Sequence, residues 1–257
     1  MNLIKEALST PSLLKEIYGD LAKPGVQQAG KALGTVIGLG NTALWPILIL
    51  NEKTRMTLEK NLEDYREKLK NTPEEEINGV APEVGVPIVE KLTHVTNDEL
   101  KNMYIALLSK ASVSTQSNLA HPAFVNIINN LSPDEAKLVK SIRASLGVPY
   151  IEVRLQYKKK EGWTTLNSMI PALPCADELQ YPENIHAYIS NLEGLGLLKT
   201  RADVCLTDDS LYVEIEESAL DKYSGTEDVM PGRQLNLTRG KLEITPFAHM
   251  FMDACFY

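Results

Sequence analysis

"AGKALGTVIGLGNTALWPILIL", Ala29 to Leu50, carries one charge, at Lys31, and sets Gly30, Gly34 and Gly38 four residues apart. On a helix that spacing aligns the three glycines on one face, where a second backbone could approach closely. Two readings fit the segment. Ala32 to Leu50 is nineteen uncharged residues, close to the roughly 20 that span a bilayer as a helix. Gly30, Gly34, Gly38 and Trp45 would then form a glycine-zipper-like element that acts on a membrane or packs copies together. In the other reading Gly40 and Asn41 turn the chain, Thr42 caps a second helix, and Pro46 sits near its first turn. The glycine face of one arm then meets the other arm in a helical hairpin.

Working outward, "NEKTRMTLEKNLEDYREKLKN" repeats Leu58, Leu62, Tyr65 and Leu69 at intervals of 4, 3 and 4. This is an amphipathic helix over 51–70 with a seam one partner helix wide, so the four residues mark a helix-pairing surface. Residues 1–72 thus form an N-terminal helical region containing the apolar segment 29–50. Pro73, Pro82 and Pro87 with Gly79 and Gly85 then predict a linker over 73–86.

A central helical bundle is expected over 87–131. "TNDELKNMYIALLSKASV" opens with a Thr96/Glu99 capping box and continues as a core-facing stripe, and "HPAFVNIINNL" supplies a second short helix. Residues 132–257 begin with Ser132 as N-cap, Pro133 at N1 and Glu135 at N3. "PYIEVRLQY" alternates like a half-buried strand, "WTTLNSM" returns it, and "PENIHAYISNLEGLGLL" reads as a helix. "LKTRADVCL", "SLYVEIEE" and "KLEIT" read as short strands, and Thr245 with Pro246 starts a closing helix. The pattern is similar to a winged helix-turn-helix. The fold class is therefore mainly α with a C-terminal, winged-helix-like α+β domain.

Composition narrows the function. A chain of 257 residues with 44% hydrophobic and 23% charged residues is ordinary for a globular protein. A net charge of -8 opposes general affinity for nucleic acid or an anionic surface. After Leu131 there are 13 Lys plus Arg against 19 Asp plus Glu, a net of -6, and the candidate recognition helix has Glu183 and Glu193 but no Lys or Arg. Such a surface repels phosphate. Lys158, Lys159 and Lys160 beside Trp163 are the basic cluster of this region. The N-terminal residues lack the continuous apolar core of a signal peptide, which predicts a cytoplasmic protein, at the inner face of the membrane in the membrane reading.

Cys175, Cys205 and Cys255 are widely spaced and imply neither a disulfide framework nor a zinc site. His94, His121, His186 and His249 are scattered, and no HExxH, P-loop or GxSxG motif is present. No catalytic residue, cofactor, metal or small-molecule substrate is implied.

Three long blocks, "GKALGTVIGLGNTALWPILILNEKTR", "GVPIVEKLTHVTNDELKNMYIALLSKAS" and "LAHPAFVNIINNLSPDEAKLVKSI", strongly resemble the Abi-alpha family of abortive-infection proteins. The resemblance covers most of the chain and is far more specific than a short motif. It implies a bacterial antiviral role in which an infected cell halts or dies before phage are released. It carries over no catalytic residue. The expected protein is a non-enzymatic effector that self-associates or contacts another protein or a membrane. The alternative is an interaction or regulatory protein whose winged domain binds a partner protein or, less favourably, DNA.

Overall fold

The computed structural model describes residues 27–39 and 52–257. The chain divides into two compact units, residues 1–136 with 250–257, and residues 137–249. The fold is mainly α, with an antiparallel sheet in the C-terminal part.

In the first unit, α1 (Gln27–Leu39) buries Ala29, Ala32, Leu33 and Val36. Their 3, 1, 3 spacing makes one stripe down the helix. α2 (Glu52–Leu69) packs against α1, α3 (Pro82–Leu92) and α4 (Asp98–Ser112). The seam expected to face one partner therefore meets three helices. Asn61 widens it: it is buried beside the leucines, and its Nδ2 donates to Leu92 O at 2.8 Å. α5 (Ala123–Asn129) completes this group, its Phe124 packed edge-on to Phe251 with centroids 5.3 Å apart.

The expected linker 73–86 is instead built into this unit. Ile77 and Val80 are buried, Ile77 bridges Val113, and Val80 N donates to Ala32 O at 2.9 Å. α3 then starts with Pro82 in its first turn and continues through Pro87. Proline and glycine marked a change of direction here, but the valines and isoleucine between them bury apolar surface and hold the segment in place. The cap of α4 also differs by one residue, because Asn97 Oδ1, rather than Thr96, accepts from Leu100 N at 3.1 Å. The Ser132 box forms as expected, with Ser132 N donating to Glu135 Oε2 at 2.6 Å and Glu135 N to Ser132 Oγ at 3.2 Å, at the start of α6 (Pro133–Ser141).

In the second unit β1 (Val148–Tyr157) and β2 (Trp163–Pro171) form the expected hairpin. After α7 (Ile185–Gly194) come β3 (Leu198–Arg201), α8 (Ser210–Lys222), α9 (Thr226–Val229) and β4 (Arg233–Ile244), and the sheet order is β2-β1-β4-β3. "SLYVEIEE", expected as a strand, is the start of α8. Its alternating Leu211 and Val213 are exposed, whereas Tyr212, Ile215 and Ala219, at helical spacing, pack on Ile151 and Val153 of β1. Strand, helix, strand thus follows α7 where a wing would place a hairpin. α10 (Pro246–Cys255) is capped by Thr245 Oγ1, which accepts from Ala248 N at 3.0 Å.

Candidate functional site

α1 places Gly30 and Gly34 beside its buried stripe, about 130° around the helix from the stripe's middle. Both are half-buried, and a Cβ on Gly34 would meet nothing within 4 Å among the described residues. Gly38 lies in the same helix. Trp45, Thr42, Pro46 and the second arm of the expected hairpin lie outside the described residues. In this unit another side chain closely approaches Gly85 of α3, where a Cβ would collide with Val36 Cγ2. No helix among the described residues is long and apolar enough to cross a membrane.

The pairing residues Leu58, Leu62, Tyr65 and Leu69 are all buried. Tyr65 adds a polar tie, its hydroxyl hydrogen-bonded to Ser112 Oγ at 2.6 Å, while Ser112 Oγ donates to Leu108 O at 2.7 Å. Burial pushes the Tyr65 phenol well above its usual range, so it stays neutral and the tie persists.

Two clefts are formed by described residues of the second unit. One, of about 660 Å³, is mainly apolar and is lined by Leu146, Pro149, Pro171, Leu173 and Leu211, with Asp208 and Glu214 as its charged members. Leu146 is 93% exposed there. The Asp208 carboxyl is held below its ordinary range by hydrogen bonds from the Ser210 hydroxyl and backbone N–H.

The other cleft, of about 670 Å³, lies over the sheet face opposite α8, with Tyr150 and Glu152 of β1 among its lining residues. His186, Ile189, Ser190 and Glu193 of α7 line it, as do Leu166 to Met169 of β2. Strand alternation explains the floor. Ile151 and Val153 point to α8, so Tyr150, Glu152 and Arg154 share the other face. Glu152 is held ionised below the ordinary carboxylate range, first by the Arg154 hydrogen bond at 2.5 Å and then by Thr165 Oγ1 at 2.9 Å. Arg154 in turn stacks over Trp163 with its guanidinium 4.5 Å from the ring centroid. Glu193 Oε1 accepts from Thr200 N at 2.6 Å.

The basic cluster at the hairpin is tied into aromatic and acidic contacts. Lys160 and Arg233 lie over the Tyr157 ring at 4.2 and 4.4 Å, and Lys158 pairs with Glu227 at 3.7 Å. Arg239 of β4 chelates Glu216 of α8 at 2.6 and 2.8 Å and also bonds Asp209. Among the described residues no group of three or more His, Cys, Asp or Glu side chains is placed to hold a metal. His94 contacts Thr93 Oγ1, and His121 Nδ1 accepts from Ala123 N at 3.1 Å.

The family model described as Abortive infection alpha matches residues 57–255, the greater part of both units. The chain belongs to the abortive infection alpha family. As a member of that family it is similar, over 54% of its length, to an uncharacterized protein from the hydrocarbon-degrading marine bacterium Alcanivorax borkumensis SK2. That similarity is 19% in identity with a TM-score of 0.33, and it covers 92% of the other chain. No curated protein matches the chain.

Sequence reading singled out His186 and Glu193 individually but missed the polar cleft. Its members come from β1, β2, α7 and β3, and only the sheet pairing brings them together. The signal that was present is the alternation of Glu152 and Arg154 with apolar residues on β1, which marks a polar sheet face but not what stands above it.

Proposed function

We propose that this protein is a non-enzymatic effector of abortive infection in bacterial antiphage defence. The family match over residues 57–255 carries the reading. In the finer version the glycine-bearing side of α1 contacts a membrane or a second chain, while the C-terminal α+β unit senses the infection or restrains the effector. No described atom lies within 4 Å of a Cβ at Gly34, which supports a contact surface on that side, because among the described residues nothing packs there to explain a glycine's lost helix propensity. The test is infection of cells carrying the gene at low and high multiplicity. The reading expects rescued cultures at low multiplicity and, at high multiplicity, growth arrest with a reduced phage yield. A normal phage burst, or infected cells that survive and divide, contradicts it.

A second reading is a protein-interaction or regulatory role, and the apolar cleft with its exposed Leu146 favours it. Cell fractionation separates the two. Pelleted protein that resists salt and yields to detergent supports action at a membrane, and protein that remains in the supernatant through infection supports the interaction role.

A further inference from the structure

Tyr150 stands out on the floor of the polar cleft. The residue is 3% exposed, and its hydroxyl, which opens onto the cleft, has no hydrogen-bond partner among the described residues. The ring lies over Gly240 on β4, directly opposite in the register, where a Cβ would come within 2.5 Å of the phenol oxygen. That packing fixes the ring. A hydroxyl held rigidly in a cleft wall, without a protein partner and open to the cleft, is a place for a ligand atom.

The charges around it select the ligand's sign. Burial, and then the Glu152 and Glu193 carboxylates, push the Tyr150 phenol up, so the hydroxyl is neutral and sits in a negative field that Arg154 only partly offsets. Arg154 bonds Glu152 through one terminal nitrogen and stacks on Trp163, its Nε being buried without a hydrogen-bond partner among the described residues, and both Glu152 oxygens are taken. Glu193 differs. Its Oε1 holds Thr200 N, while Oε2 has no partner among the described residues. An anion would meet these carboxylates at a cost. A metal would find too few free donors. Met169 and Ile189 add apolar wall beside the polar groups, while the Leu166 side chain packs on the core under α8.

We infer that this cleft binds a primary alkylammonium group, its charge held by Glu193 Oε2 and the Tyr150 hydroxyl and its methylenes lying along Met169 and Ile189. The ammonium supplies the donors that these acceptors lack, and the methylenes take up the apolar wall. The same chemistry is offered by a free polyamine and by a lysine side chain. The inference does not depend on the defence role.

The experiment is calorimetric titration of the full chain with spermidine, with Nα-acetyl-lysine methylamide and with uncharged 1,4-butanediol. At least one ammonium compound is expected to bind with Kd below about 1 mM, and the diol is not. Binding by spermidine alone assigns the free polyamine, and binding by the lysine derivative alone assigns a peptide side chain. Glu193→Gln keeps an acceptor for Thr200 N and should weaken binding by about tenfold or more. Tyr150→Phe keeps the ring over Gly240 and should weaken it by about threefold to tenfold. Ser190→Phe, at an exposed wall position, should block the cleft without touching its floor. All three are read beside thermal melts unchanged from the wild type. The inference is overturned if neither ammonium compound binds the folded wild type at about 10 mM, if the diol binds as tightly, or if folded Glu193→Gln and Ser190→Phe retain full affinity.

Discussion

Val36 of α1 occupies the space over Gly85 of α3, so that a Cβ on Gly85 would collide with Val36 Cγ2 and lie 3.0 Å from Val80 Cγ1. Val36 is fully buried and, being β-branched, has little rotamer freedom with which to yield. Gly85→Ala should therefore lower stability by about 1–3 kcal/mol through overpacking. Alanine's helix-propensity advantage of about 1 kcal/mol would offset only part of this. A urea titration decides it. A midpoint that rises would mean that α1 and α3 are not in close contact.

Leu62 tests the packing of α2. It is 4% exposed on a helix that meets three others. Leu62→Ala should cost about 2–5 kcal/mol, the range for truncating a buried leucine. Leu62→Glu should cost more, because a carboxylate would be buried without a partner. Circular dichroism melts of both variants check the order. Equal and unchanged melts would show that the seam is exposed.

Alkaline pH should destabilise the protein through buried phenols. Burial pushes Tyr65 well above its ordinary range and Tyr104 up to about 12. An unfolded tyrosine releases its proton near pH 10 while the folded protein retains it. The unfolded state then binds fewer protons, so stability falls as pH rises through 10 and toward 12. Below about pH 10 this contribution is fully present. Tyr104→Phe loses the hydrogen bond to Asn129 Oδ1 at 2.6 Å and should be less stable at neutral pH, yet its stability should decline less steeply between pH 10 and 12. Parallel slopes for the variant and the wild type would remove Tyr104 from the titration.

The C-terminal unit is expected not to bind duplex DNA. α7 carries no Lys or Arg, and of the basic residues at the hairpin Arg154, Lys158, Lys160 and Arg233 are engaged with Trp163, Glu227 and Tyr157, which leaves Lys159 exposed. Phosphate neutralisation supplies most non-specific affinity, and little free positive charge is available for it. A low-salt gel shift with the full chain should show no complex at micromolar protein. A salt-sensitive complex there would contradict the expectation.

The helical core was readable because its signal is local. Leu58, Leu62, Tyr65 and Leu69, and the Ser132/Glu135 box, depend on spacings of three and four residues that a linear reading contains. Other features depended on partners far away in the chain. The 73–86 segment looked like a linker because its prolines and glycines are conspicuous, whereas Val80 and Ile77 show their role only against Ala32 and Val113. "SLYVEIEE" satisfies two periodicities at once, and the apolar surface on β1 decides for Tyr212 and Ile215. The cleft was invisible for the same reason: its floor and walls meet only after β1, β2 and α7 are assembled.

The central claim is that defence works through the glycine-bearing side of α1 and not through any effect on folding. Because a Cβ at Gly34 meets no described atom within 4 Å, Gly34→Leu alters that side of α1 without touching its buried stripe of Ala29, Ala32, Leu33 and Val36. The decisive measurement pairs phage plating efficiency on cells carrying Gly34→Leu with the thermal melt of the purified variant. The account predicts lost protection with a melt no lower than that of the wild type, since leucine regains most of the roughly 1 kcal/mol of helix propensity that glycine forgoes. Full protection by a folded Gly34→Leu protein would contradict it.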